Sequence, residues 1–152
     1  MPTLEFKTEI DAPLAKVWEF HSTLDGLKKV TPPSTKVDIV AYEPPLRAGS
    51  KFTLLIRRNG IPIRWEVEYE AFDPPDRFVD RQIAGKGPFQ TWRHEHMFVK
   101  ISEKRTLLHD RVTYEAPFGI FGVIADHLFL KNDLKKMFAY RHRVTKELIE
   151  AS

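Results

Sequence analysis

Hydrophobic and polar positions alternate from the start of the chain. Leu4, Phe6 and Ile10 are interleaved with Glu5, Lys7 and Glu9, the period of a strand with one buried face. "DAP" (residues 11–13) then stops it: Asp11 or Ala12 suits a helix cap and Pro13 a first helical turn. Leu14, Val17, Trp18 and His21 recur at helical spacing, which predicts a short amphipathic helix. A second short helical piece runs over residues 24–30 and is stopped by Pro32 and Pro33.

Hairpins follow. Residues 36–42 and 51–58 read as strands around the loop "EPPLRAG", and "NG" at Asn59 and Gly60 is the strongest short hairpin signal in the chain. Ile63, Trp65, Val67, Tyr69 and Ala71 alternate with Arg64, Glu66, Glu68 and Glu70, a one-sided strand. "DPPD" (residues 73–76) turns it into a strand over 77–83. "GKGP" separates that from a long strand containing "QTWRHEHMF" (residues 90–98), and a last strand covers 106–116. Beyond it the period changes. Ile124, Leu128, Leu134, Met137, Phe138, Arg141, Val144 and Leu148 recur every three or four residues, predicting one helix of about 30 residues, about 45 Å long. "PFGIFG" ahead of it reads as a flexible lead-in.

This order predicts an α+β fold. A seven-stranded antiparallel sheet has one apolar face, and the long C-terminal helix must bury its stripe there. So large a sheet twists and curves, so it wraps the helix and leaves space between the two layers. That is the geometry of a ligand cavity.

The chain's 152 residues fit one domain, 1–152, with a core of its own. An aromatic content of 12% supplies rings enough to line a cavity. No apolar run is long enough to cross a bilayer, and "MPTLEFKTEI" lacks the apolar block of a signal peptide. A cytoplasmic location is therefore expected. The absence of cysteine excludes disulfides, thiolate metal sites and cysteine nucleophiles. Net charge is +3, and Lys131, Lys135, Lys136, Arg141, Arg143 and Lys146 gather near the C-terminus. Asp133, Glu147 and Glu150 are mixed among them, which reads as a solvated helix face. No aromatic–basic interleaving tracks a nucleic-acid strand, so no nucleic-acid partner is expected. Transient contact with a membrane surface fits the basic helix.

The element order, with "IDAPLAKVWEF" after the first strand, resembles the SRPBCC superfamily over the whole chain. That superfamily includes START-type lipid-binding domains, birch-pollen-allergen-like proteins, and polyketide cyclases and aromatases. A narrower resemblance lies in "RFVDRQIAGKGPFQTWRHEHMF" followed by "DRVTYEAPFG", which is similar to a small bacterial cyclase/dehydrase-like ligand-binding subgroup. The superfamily resemblance implies a helix-grip fold and an apolar ligand. It implies neither an enzyme nor a metal, and no cofactor is expected. The subgroup resemblance implies Asp80, Gln82, Trp92, His94, His96, Asp110 and Tyr114 as motif positions.

Strand parity bears on the same residues. Trp92, His94, His96 and Phe98 share one face, and Arg93 and Glu95, the costlier pair to bury, share the other. Both histidines are thus expected inward. On the next strand Asp110 is a carboxylate on the face of Leu108, Val112 and Tyr114. A three-residue loop over 103–105 puts Asp110 diagonal to His96, and a register slipped by two puts them opposite. In strand 77–83 the two arginines, Arg77 and Arg81, face out, which turns Phe78, Asp80 and Gln82 inward.

Four readings compete for this inward set. His94, His96 and an Asp have metal-ligand spacing, with the histidines about 6.5 Å apart along one strand face. His94 or His96 held by Asp110 makes a general base for a cofactor-free cyclase or dehydratase. The same groups can satisfy one another and pin two strands. The reading adopted is that they orient the polar end of a small hydrophobic or amphipathic ligand. Its body then lies against Trp65, Phe78, Trp92, Phe98, Met137 and Phe138, with Phe20 and Tyr69 as further walls. Monomer and homodimer are equally compatible with this reading.

Overall fold

The computed structural model describes residues 1–58 and 60–152, so Asn59 of the "NG" signal lies outside the described residues. Seven strands form the sheet: β1 (Thr3–Ile10), β2 (Thr35–Tyr42), β3 (Lys51–Arg58), β4 (Ile61–Asp73), β5 (Arg77–Gln82), β6 (Thr91–Ser102) and β7 (Arg105–Glu115). Their order is β1-β7-β6-β5-β4-β3-β2, antiparallel throughout. The helices α1 (Leu14–His21) and α2 (Leu24–Lys29) carry the chain from the β1 edge to the β2 edge. Pro13 is extended and caps α1 rather than opening its first turn.

The C-terminal helix runs from Gly119 to Ala151 in three parts: α3 (Gly119–Ala125), a π-helical turn (Asp126–Leu130) and α4 (Lys131–Ala151). A π turn holds an extra residue, so it shifts the helical phase between the α segments. The buried stripe of α4 is Leu134, Phe138, His142, Thr145 and Ile149. The apolar period had placed Ile124, Leu128 and Leu148 on that stripe, and all three are exposed. Two of the buried positions are polar, so a count of apolar residues passes over them.

The helix does not lie centrally on the sheet. Phe138 stacks on Phe6 of β1, with ring centroids 4.7 Å apart and planes at 10°. One turn on, Thr8 Oγ1 lies 2.7 Å from His142 Nδ1, and next Lys146 Nζ donates to the Glu9 carbonyl at 2.9 Å. Burying a ring such as Phe138 contributes about 2 kcal/mol. With α4 drawn to the β1–β7 side, the concave surface of β3, β4 and β5 is left without α4 on it. Beneath α1, Trp18 packs against Phe72, Phe78 and Phe98 at 5.3–5.9 Å and closes that end of the core.

The β6–β7 turn settles the open register. Ser102 pairs with Arg105 around a two-residue turn, an irregularity between Lys100 and Ser102 absorbs one residue, and His96 falls opposite Asp110. The outer face of the same strands is charged: Arg93 bonds Glu70 and Glu95, and Arg111 bonds Glu5 and Glu95. Val99 and Ile101 continue the outward parity and are exposed, so the faces do not swap.

Candidate functional site

Three adjacent strands and one helix bring the polar set together. Asp80 on β5 pairs in register with His94 on β6, and His96 with Asp110 on β7. The side-chain hydrogen bonds run diagonally instead. His94 Nε2 donates to Asp110 Oδ1 at 2.7 Å, and His96 Nε2 donates to Asp80 Oδ2 at 2.6 Å. The two imidazoles stack at 3.6 Å between centroids, and Phe78 stacks on His96 at 3.9 Å. This stacked pair fills the space between the carboxylates.

Asp110 holds more than one partner. Its second oxygen, Oδ2, accepts from His142 Nε2 of α4 at 2.6 Å. With that proton on Nε2, His142 Nδ1 is an acceptor for the Thr8 hydroxyl of β1. One buried carboxylate thus ties β7 to β6 and α4, and through His142 to β1.

Burial works to raise the Asp110 carboxyl, but neighbouring His94 and the hydrogen bonds from His142 and His94 outweigh it. The group is held well below the usual carboxylate range. Asp80 is likewise lowered: burial opposes the shift, and the His96 hydrogen bond leads the groups that produce it. Burial pushes the His96 imidazole down to about 4, with His94 adding to the fall. The arrangement is therefore two ionised carboxylates served by imidazole N–H donors.

The uncovered half of the sheet bounds a cavity of about 630 Å³. Its walls are β3, β4, β5 and β6 on one side, α2 above, and Leu134, Met137, Tyr140 and Arg141 of α4 on the other. The volume lies in the range of roughly 300–1,000 Å³ typical of small-molecule sites. Asp80, His94 and His96 reach its wall, whereas Asp110 and His142 stand behind it. Arg141 extends into the cavity with its guanidinium 5.2 Å from the Phe138 ring centre and no hydrogen-bond or ion-pair partner among the described residues. Burial lowers its pKa against the opposing pull of Asp110 and Asp80. His21 also lines the cavity; burial pushes it down to about 4, and its Nδ1 lies 2.8 Å from the Val17 carbonyl.

No protein-family model matches the chain, and no curated protein matches it in sequence. Solved structures match along its whole length. The Thermus thermophilus protein TTHA0849 is 22% identical with a TM-score of 0.77, covering 99% of this chain and 98% of the other. The Zhui aromatase/cyclase from Streptomyces sp. R1128 is 18% identical with a TM-score of 0.73, covering 98% and 93%. Ara h 8.0201 is 14% identical with a TM-score of 0.71, covering 99% of each chain. The chain has the helix-grip fold.

Within this helix-grip frame the expected site residues divide. Trp65, Phe78, Asp80, Trp92, His94, His96 and Met137 line the cavity, as does Tyr69. Gln82, Phe98, Asp110, Tyr114 and Phe138 are buried outside the lining. Gln82 donates to the Phe89 carbonyl at 2.6 Å and accepts the Phe89 N–H at 3.2 Å, so it pins the 83–89 loop. Tyr114 donates to Asp126 at 2.6 Å and anchors the π turn. Phe98 and Phe138 are core rings.

Asp110 meets a histidine as anticipated, but the bonded one is His94 rather than its register partner His96. His142 was missed, because it sits in a basic helical stretch where a polar residue looks solvated. Arg141 had been counted on both the apolar stripe and the basic surface, and its cavity-facing position reconciles the two. For a metal, Asp80, His94 and His96 each bring one ligand atom, all within 4.8 Å of one another. In the helix-grip interior those groups are engaged with each other and with Asp110.

Proposed function

We propose that the chain binds a small, uncharged amphipathic ligand whose polar end carries a carbonyl and a hydroxyl. The carrying observation is an unpaired donor and an unpaired acceptor at one end of an aromatic cavity. Among the described residues, Arg141 offers guanidinium N–H groups without an acceptor, and Asp80 Oδ1 has no partner. A ligand carbonyl accepts from Arg141, a ligand hydroxyl donates to Asp80, and the body rests on Trp65, Trp92 and Met137. An anionic head fits less well at this end, where Asp80 on the wall and Asp110 behind it oppose the pull of Arg141, while Arg58 and Lys136 line the cavity elsewhere. Trp65 and Trp92 make binding visible as a change in intrinsic fluorescence.

Titration with monodecanoylglycerol, decanoate and decane tests this reading. The monoacylglycerol binds tightest, and Arg141→Leu weakens it about tenfold, the value of a hydrogen bond to a charged group, while decane is unaffected. Equal affinity for all three probes, or an unchanged Arg141→Leu, overturns it.

A second reading draws on one further observation. Because His94 Nε2–H is committed to Asp110, its Nδ1 lone pair is left at the cavity wall, 3.8 Å from Asp80 Oδ2. A carboxylate fixing an imidazole tautomer is the arrangement of a general base. The Zhui aromatase/cyclase shows that the fold can host a cyclase. Proton exchange at the activated carbon of a bound β-diketone, followed by NMR and lost in His94→Gln with binding retained, supports catalysis. No exchange above buffer refutes it.

A further inference from the structure

We propose that the segment from Phe118 to Leu130 docks the chain onto anionic lipid bilayers. The run "PFGIFGVIA" (residues 117–125) holds no polar side chain, and α3 turns it outward for a definable reason. Its buried position is Gly122, where a Cβ would overlap the Pro117 carbonyl of the segment just ahead of the helix. The helix thus closes at Gly122 on its own lead-in, and its large side chains are left exposed. Phe118, Ile120, Phe121, Val123, Leu128 and Phe129 are 56–82% exposed. Phe118 also adopts a left-handed conformation, φ 71, uncommon for a bulky residue, and is the most exposed of the six. Monomeric soluble proteins rarely show so continuous an apolar patch without a partner.

Charge selects the partner. Lys131 and Lys135 follow the patch on the same helix. Of its two carboxylates, Asp133 pairs with Arg58 at 3.8 Å and Asp126 accepts the Tyr114 hydroxyl. An apolar face rimmed by cations suits the interface of an anionic bilayer, where rings sink among acyl chains and lysines meet phosphates. A second copy fits less well, since it adds lysines of the same sign and only carboxylates already bonded within each chain. The segment is too short to cross a bilayer, and no helix among the described residues is long and apolar enough to do so. The patch is also continuous with the cavity: Pro88, Phe89, Leu130 and Asp133 border both the cavity and the apolar groove beneath α3.

Co-sedimentation with vesicles of phosphatidylcholine, alone or mixed with phosphatidylglycerol, tests the proposal. The protein pellets with the mixed vesicles, less with the neutral ones, and is released by salt. Phe121→Ser/Phe129→Ser lowers partitioning at least about tenfold, since each ring loses its burial in lipid, and Lys131→Glu/Lys135→Glu removes the preference for phosphatidylglycerol. Neither variant touches a residue lining the ligand cavity, so an unchanged melting temperature and monodecanoylglycerol titration certify the fold and the cavity independently. Wild type that stays in the supernatant with both vesicles overturns the proposal, as does an aromatic variant that pellets like wild type. A wild-type dimer that the aromatic variant converts to monomer in vesicle-free ultracentrifugation overturns it too, and assigns the face to a second copy.

Discussion

Replacing Asp110 by alanine leaves two imidazole N–H groups, His94 Nε2 and His142 Nε2, facing an empty space in the interior. Both are bonded to its carboxylate at 2.7 and 2.6 Å, and both side chains are nearly inaccessible. An orphaned buried donor costs roughly 1–3 kcal/mol, so two cost roughly 2–6. Breaking a buried charged cluster from one side gives a similar figure, roughly 3–5 kcal/mol. Against a typical stability of about 5–15 kcal/mol this is a large fraction. It corresponds to a fall in Tm of roughly 6–20 °C for a chain of this size.

Asp110→Asn supplies the internal control. Its amide oxygen can accept from one imidazole while its NH₂ opposes the other, so it should lose about half as much. Urea unfolding followed by both tryptophan fluorescence and circular dichroism measures the series. If Asp110→Ala lies within about 1 kcal/mol of wild type, the carboxylate does not join β6, β7 and α4, and the division between a structural Asp110 and a cavity-facing Asp80 collapses.

Other expectations are independent of that series. His96 and His21, both pushed down to about 4, bind protons in the unfolded chain near the ordinary value of about 6.5. Stability should be constant above that value and lost as pH falls from about 6.5 to about 4, by about 3 kcal/mol per histidine; equal urea midpoints at both ends of this window would falsify the assignment. Gln82→Ala removes both bonds to Phe89 and should cost roughly 1–3 kcal/mol, read as a lower Tm, and an unchanged Tm would mean the 83–89 loop is held by other contacts. Gly122→Ala sets a methyl against the Pro117 carbonyl. It should lower Tm although alanine is the better helix former; a rise in Tm would show that α3 packs differently.

Alternation and turn chemistry made the sheet legible, because one-sided strands such as Ile63 to Ala71 carry their burial in period two. The inward turn of His94, His96, Asp80 and Asp110 came from the same logic, with outward arginines as the reference. What parity cannot separate is a cavity wall from a core. Trp92 and Phe98 lie on one face of β6, yet the first borders the cavity and the second is covered by Trp18. The difference is set by where α4 rests, a property of distant residues such as Phe6 and Thr8. The diagonal choice of partners escaped for a related reason, since register fixes Cα neighbours while ring stacking decides which carboxylate each imidazole reaches. The π turn was invisible as well: no apolar pattern marks it, and it moved the phase of everything after Leu130.

Asp110 draws one bond from β6 and another from α4, and the α4 histidine is bonded in turn to β1. An opening motion that lifts α4 near His142 must strip this carboxylate of its donors, so the helix there has no low-energy partial opening. Amide hydrogens of α4 around Phe138 to Thr145, and of β6 and β7 at the network, should exchange with solvent only through global unfolding. The α3 segment, closed at Gly122 only on its own lead-in, lacks such a bond and should open below that threshold. The molecule thus has one wall that keeps its shape to the point of denaturation and one rim that exchanges on a much faster clock.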